Sequence, residues 1–305
     1  VRTLSKTSQA VLDTLDTVLA TCSHVEKRPI QLHEPWFCGN EAKYTQDCID
    51  SGWVSSVGKY VDKFSEDLAQ FTGLQFAIPT VNGTAALHLC LRLLDIQPND
   101  EVLLPALTFV ATANAIAYAG AIPHFVASES TTLGVDPDAL NTYLEQTATR
   151  GPRGLVNRYT GRPIKALIVV HVFGHPAQME KLSQVATFWG LPIIEDVAES
   201  LGSYYQGKHT GSFGVLAAMS FNGNKIATTG GGGAILTNDA KLAERAKYLS
   251  TTAKQPHPWA FYHDELGYNY RMPNINAALG CAQLEQLPGF ISAKRRLYEL
   301  YAGAF

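Results

Sequence analysis

The chain has 305 residues, 46% of them hydrophobic and 17% charged, with a net charge of −3 at neutral pH. That length and apolar content give a core for one large domain and part of another, which excludes a disordered chain. No basic run exceeds "AKRR" and no apolar run reaches membrane-spanning length, which sets nucleic acid and bilayers aside as partners.

Residues 8–20, "SQAVLDTLDTVLA", carry Val11, Leu12, Leu15, Val18 and Leu19 at helical spacing and predict an amphipathic helix with a packing or subunit-contact role. It belongs to an N-terminal extension expected over 1–34, ending in a link that bears Pro29 and Pro35. A helix over 41–51, the loop "SGWVSSVGK" and a helix to about Phe71 follow. Strands and helices then alternate: "QFAIPT" and "TAALHLCLRLL", "EVLLP" and "FVATANAIAYAG", "IPHFV" and "DPDALNTYLEQ", "KALIVVHV" and "MEKLSQVATFWG", then "LPIIED". Continuous β-branched and leucine strands separated by helices predict an α/β domain, a doubly wound, mainly parallel sheet covered on both faces, over 35–250.

Next come "VLAAMSF" and "GGAILTND", two strands around a glycine-rich stretch, and helices from Ala240. "RMPNINAALGCAQLEQL" and "ISAKRRLYELYAGAF" predict two helices leading away from the sheet, as the start of a smaller domain over 251–305. The chain begins with valine and stops inside a helical pattern, so a partial chain is expected.

The first thirty residues lack the pattern of a secretory signal, which points to the cytoplasm. Cys22, Cys38, Cys48, Cys90 and Cys281 form no Cys-x-x-Cys pair, so buried or inert thiols are expected rather than a disulfide framework. His171 and His175 are four apart, but Pro176 rules out a helical metal pair, and no metal site is expected.

Ligands of open parallel sheets bind beyond the carboxyl ends of the strands. Gly83 and Thr84 stand at a strand-to-helix turn, where free N–H groups and the helix dipole attract phosphate, although an ordinary capped turn reads the same way. Asp196 ends an apolar strand and could equally be an N-cap, while its neighbour Glu195 alternates to the other face. Phe109, taken singly, is a core aromatic, and Lys225 a loop lysine. Together they assemble what pyridoxal phosphate needs: a lysine to bond to its aldehyde, an acid to keep its pyridine nitrogen protonated, and a helix start for its phosphate.

"NGTAALHLCLRLLDIQPNDEVLLPALTFVATANAI", "IIEDVAESLGSYYQGKHTGSFG", "SFNGNKIATTGGGG" and "GYNYRMPNINAALGCAQLE" resemble the DegT/DnrJ family of pyridoxal-phosphate-dependent nucleotide-sugar aminotransferases, of aspartate aminotransferase fold type I, in order from about residue 30 onward. The resemblance implies that Lys225 is the covalent anchor and Asp196 the partner of the pyridine nitrogen. It implies that Phe109 stacks on the cofactor and that the backbone at Gly83 and Thr84, with the hydroxyl of Ser220, holds the phosphate. Glu199, where many members have glutamine, would lie near the ring hydroxyl. Asn269 would reach the phosphate of a second copy, which implies a homodimer with shared sites. The run 32–64 is most similar to LegC-type enzymes, which aminate a nucleotide-linked 4-keto-6-deoxy-N-acetylhexosamine, with glutamate as the implied amino-acid donor. A perosamine-synthase-like enzyme acting on a GDP-linked sugar is the alternative, and a silent cofactor-binding scaffold is another. The plain dinucleotide-binding reading fails because no G-x-G-x-x-G follows a strand; "GGGG" is read as backbone room near the cofactor. His171 and Arg271 remain open between ligand contacts and internal hydrogen bonding or an interface ion pair.

Overall fold

The computed structural model describes residues 5–21, 33–152 and 154–305. Helix α1 (Lys6–Ala20) is capped by Ser5, whose Oγ accepts from the Ser8 N–H at 3.1 Å. Only Val18 of this helix is buried, and Val11 and Leu12 stay exposed. Helices α2 (Glu41–Ser51) and α3 (Lys59–Thr72) lead into the sheet.

The alternation then runs β1 (Phe76–Thr80), α4 (Gly83–Leu93), β2 (Glu101–Pro105), α5 (Val110–Tyr118), β3 (Ile122–Val126) and α6 (Pro137–Thr147). A hairpin of β4 (Ala148–Gly151) and β5 (Gly154–Asn157) follows, then β6 (Ile164–Val170), α7 (Met179–Trp189) and β7 (Ile193–Asp196). A second hairpin, β8 (Tyr204–Tyr205) with β9 (Lys208–His209), precedes β10 (Leu216–Ser220), β11 (Gly233–Thr237), α8 (Ala240–Ser250) and α9 (Asn274–Ala304).

The main sheet has the order β1-β11-β10-β7-β6-β2-β3. The pairs β10–β7, β7–β6, β6–β2 and β2–β3 are parallel, and β11 runs antiparallel to both its neighbours. The mainly parallel α/β sheet expected from the strand composition is therefore present. Strands β2, β6, β7, β10 and β11 are buried on both faces because successive side chains alternate between the two sides of the sheet, whereas the edge strand β3 leaves Phe125 exposed. Val102, Leu104, Ala218 and Ile235 pack under α4, α5 and α8. Ala217, Met219, Ala234 and Leu236 pack under α3 and α9, and Leu103, Leu167 and Val169 under α6 and α7.

The C-terminal segment departs from expectation. The two helices are one, continuous through Pro288, and its first half does not lead away from the sheet: Ala277, Ala278, Cys281, Leu284 and Leu287 are buried with Tyr60, Phe64 and Cys48 of α3 and α2. The apolar spacing over 274–287 is that of a helix face, and α2 and α3 supply the surface to cover it. Cys48, Cys90 and Cys281 are buried as expected, but Cys38 is exposed, its Sγ 2.7 Å from Trp36 Nε1 and 2.9 Å from Gln286 Oε1. Cys22 and the Pro29 link lie outside the described residues. No helix of the described residues is long and apolar enough to cross a membrane, and no group of three or more potential metal ligands gathers among them.

Candidate active site

The carboxyl ends of β1, β2, β6, β7 and β10 open on a cavity of about 510 Å³ lined by Asn82, Gly83, Thr84, Phe109, Asp196, Glu199, Ser220 and Lys225, among others. That volume lies within the roughly 300–1,000 Å³ usual for small-molecule sites. Seven of the eight residues expected at the site thus share one cavity; Asn269 does not.

Each arrives through local structure. Asn82 is the extended N-cap of α4, and its Oδ1 accepts from Ala85 N–H at 2.8 Å. The N–H groups of Gly83 and Thr84, first in the helix, have no hydrogen-bond partner among the described residues, so the positive end of α4 faces the cavity. Ser220 closes β10 beside this turn, where a Cβ on Gly83 would come within 2.8 Å of the Ser220 Cβ. A Cβ on Gly233 would meet the Asn82 carbonyl carbon at 2.4 Å and the Gly83 nitrogen at 2.7 Å. The last glycine of "GGGG" therefore lets β11 lie directly against the mouth of α4, while Gly231 and Gly232 line the cavity itself.

Asp196 is the last residue of β7 and is only 6% exposed. Its Oδ2 accepts from the Thr112 hydroxyl at 2.8 Å and its Oδ1 from Ala198 N–H at 3.2 Å. Burial pushes its carboxyl above the ordinary aspartate value, against the pull of Thr112, Ala198 and the Lys225 charge. A cationic ring nitrogen would relieve that cost. Lys225 sits in the turn after β10, with its N–H bonded to Asn222 O at 3.0 Å, and its Nζ closes an ion pair with Glu199. Glu199, expected near a ring hydroxyl, thus contacts the lysine amine here. Phe109 forms the N-cap of α5 at the cavity edge and is 76% exposed.

Two residues gain roles that strand alternation alone does not show. Glu195 is wholly buried on the opposite face, where its carboxylate accepts from Gly211, Phe213 and Gly214 N–H at 2.8, 2.7 and 2.6 Å. Burial opposes its charge, but His171 and these N–H groups outweigh burial and hold its carboxyl below the ordinary glutamate range. His171 accepts from Ala177 N–H at Nδ1, 3.1 Å, leaving Nε2 to donate to Glu195 at 2.9 Å. His171 also lines the cavity, so Glu195 holds one of its walls in place from behind. The signal in the sequence was an acid beside Asp196 in an otherwise apolar strand. Arg271 carries its Nη2 3.2 Å from Asn269 Oδ1, outside the cavity.

A bare helix N-terminus, a buried acid of raised pKa and a lysine amine on one cavity form the donor set of a fold type I pyridoxal-phosphate site, and the residues fit that cofactor. The chain belongs to the DegT/DnrJ/EryC1/StrS aminotransferase family, whose model matches residues 38–305. Over 272 residues it is 42% identical to the GDP-perosamine synthase of Escherichia coli O157:H7, covering 89% of this chain and 70% of that one. Its fold matches the aminotransferase TlmJ from Streptoalloteichus hindustanus with a TM-score of 0.79 at 30% identity, covering 89% of this chain and 70% of the other. Helicobacter pylori PseC, an aminotransferase involved in pseudoaminic acid biosynthesis, matches with a TM-score of 0.75 at 26% identity, over 85% of this chain and 66% of that one. Amino transfer is the activity named for this family and for TlmJ and PseC, and EpsN of Bacillus subtilis, 39% identical over 91% of this chain and 69% of its own, is named as a putative pyridoxal phosphate-dependent aminotransferase.

Proposed function

We propose that this chain moves an amino group from an amino acid, glutamate, to the C4 ketone of a nucleotide-linked 4-keto-6-deoxyhexose. The observation that carries the reading is the meeting of Lys225, the buried Asp196 and the bare N-terminus of α4 in one cavity. Bound pyridoxal phosphate supplies the electron sink that makes an amino acid's α-hydrogen acidic. The first turn of α4 and Ser220 would hold its phosphate, Asp196 would keep its ring nitrogen protonated, and Phe109 would cover its face. Lys225 would take the proton from the donor's α-carbon and later deliver one to sugar C4, so the kinetics are ping-pong. Asn269 would act in a second copy.

Two sugars divide the finer reading. The run 32–64 supports an N-acetylhexosamine of the legionaminic-acid type, and GDP-perosamine synthases at 38–42% identity support a GDP-linked sugar. The test is turnover of UDP-linked 4-keto-6-deoxy-N-acetylhexosamine and GDP-linked 4-keto-6-deoxymannose with glutamate, followed by mass spectrometry, with Lys225→Ala as control. A gain of one amino group on either sugar supports the reading and selects the sub-type. Turnover by Lys225→Ala at the native rate, or no amination of either sugar by a protein that binds the cofactor, overturns it.

A further inference from the structure

Of the glycines that line the cavity, Gly83, Gly231 and Gly232, two are demanded by their neighbours. A Cβ on Gly83 would come within 2.8 Å of the Ser220 Cβ, and one on Gly232 would collide with the Thr229 side chain and lie 2.6 Å from Met272 Cε. The flanking glycines are accounted for as well, since Gly230 takes a left-handed φ of 78° and Gly233 abuts the start of α4. Gly231 has neither reason to be glycine: its φ lies outside the left-handed region, and a Cβ there would meet nothing within 4 Å. Glycine at such a position costs backbone entropy on folding with no local return, which points to a use for the space it leaves.

The surrounding loop is pinned, so the space stays open. Asn276 of α9 donates from Nδ2 to the carbonyls of Thr229 at 2.7 Å and Gly231 at 3.2 Å. Gly230 N–H donates to Thr228 Oγ1 at 2.9 Å, and Phe221 N–H to Gly232 O at 2.8 Å. The N–H groups of Gly231 and Gly232 themselves have no hydrogen-bond partner among the described residues. Gly232 is buried, and a buried N–H without a partner is uncommon unless a ligand supplies the acceptor. Open room with unengaged donors beside it matches a compact ligand group that carries a carbonyl oxygen, such as an amide.

We propose that Gly231 is a specificity-determining position, its open space and the N–H groups of Gly231 and Gly232 receiving the 2-acetamido group of an N-acetylhexosamine; this rests on the sugar aminotransferase reading above. Lys225 and Gly231 belong to one connection between β10 and β11, and both line the cavity. A ring that brings C4 to the lysine therefore carries its C2 substituent, two carbons along, toward the glycine. A 2-hydroxyl leaves the space vacant and the N–H groups unengaged, which costs the site its pairing partners. Of the two sugars above, this arrangement selects the N-acetylhexosamine.

The test holds the nucleotide constant. UDP-linked 4-keto-6-deoxy-N-acetylglucosamine and UDP-linked 4-keto-6-deoxyglucose, which differ only at C2, are turned over with glutamate by the native protein, Gly231→Ala and Gly231→Leu. The native protein is expected to prefer the N-acetyl sugar by about tenfold or more in kcat/KM, and that preference to fall by about tenfold in Gly231→Ala and about 100-fold in Gly231→Leu. In parallel, calorimetry on each cofactor-loaded protein follows binding of UDP-N-acetylglucosamine and UDP-glucose, which lack the ketone and do not react. Affinity for the first is expected to fall by the same factors, and affinity for the second by no more than about threefold. Borohydride label on Lys225 checks that each variant folds and loads its cofactor, and Gly231→Ala, whose Cβ meets open space, keeps the comparison decisive should the larger side chain block loading. An unchanged preference in the loaded variants, a loss shared equally by the two sugars, or a native protein that prefers the 2-hydroxy sugar overturns the proposal. Amination of GDP-linked 4-keto-6-deoxymannose and of neither UDP sugar also overturns it, whereas amination of none of the three removes the sugar reading itself, and this proposal with it.

Discussion

Asp196 shows what the proposed cofactor site costs at the scale of one residue. Its carboxyl is buried with two hydrogen bonds and held above the ordinary aspartate value. With a raised folded value, the penalty is absent below the unfolded pKa of about 4. It grows as pH rises from there through the folded value, because the unfolded chain ionises first. In the cofactor-free protein at pH 7, Asp196→Asn should therefore raise Tm by about 2 °C, while amino transfer falls by roughly 10³-fold or more because an amide cannot hold the ring nitrogen protonated. Calorimetry and turnover on one preparation check both signs; a lower Tm would mean that Asp196 is not strained. Residue types and strand ends make Asp196, Lys225, Gly83 and Thr84 legible in the chain itself, because each follows an apolar strand at the edge where ligands collect. Glu195 and His171 are not legible in that way: their importance lies in a contact between strands 24 residues apart. The Lys225–Glu199 contact likewise joins two loops brought together only by the β7–β10 pairing.

Among elements, the approach of β11 to α4 ties a strand to the proposed phosphate cradle. Gly233→Ala must move the Asn82–Gly83 backbone, since the clash is with main chain and not with a flexible side-chain end. Overpacking of this kind costs about 1–3 kcal/mol, so cofactor affinity should fall by roughly tenfold or more, read by absorbance titration with pyridoxal phosphate. Unchanged affinity would show that α4 does not hold the phosphate. At the opposite end of the sheet, Glu101 at the start of β2 accepts from Asn157 Nδ2 at 2.8 Å and Thr160 Oγ1 at 2.6 Å and pairs with His124 Nδ1 at 2.7 Å. Burial works against its charge, but these hydrogen bonds outweigh it and hold the carboxyl below the ordinary value. Its contribution is therefore present above the unfolded pKa and lost as pH falls through the lower folded value. Glu101→Gln should cost about 1–2 kcal/mol at pH 7, with the gap closing below about pH 4, measured by urea unfolding at both. Equal destabilisation at both pH values would show that the charge is not what matters. Strand–helix alternation is legible because its hydrophobic runs are long. The hairpin β8–β9 is not, since each strand has two residues and its only signal is Gln206-Gly207, both at positive φ.

At the scale of the whole molecule, large aromatic side chains are left exposed around the cavity. Phe109 and Phe173, 76% and 74% exposed, stand at the cavity rim. The strip carrying Asn269 is fastened beside it: Val81 N–H bonds to Tyr270 O at 2.8 Å, Tyr270 N–H to Ser250 O at 3.1 Å, and the Tyr268 and Tyr270 rings stack at 5.0 Å against His88 of α4. So held, Asn269 lies outside the cavity of its own chain, exposed, with its Oδ1 accepting from Arg271 Nη2 at 3.2 Å. A symmetric dimer would place it at the partner's site. Complementation separates the two arrangements. Lys225→Ala and Asn269→Asp, each inactive alone, are co-expressed with different tags and the mixed dimer is isolated. If Asn269 serves in trans, one of the two sites in that dimer combines a native Lys225 with a native Asn269, and about half the native activity per dimer returns. If Asn269 serves its own chain, both sites carry a lesion and nothing returns.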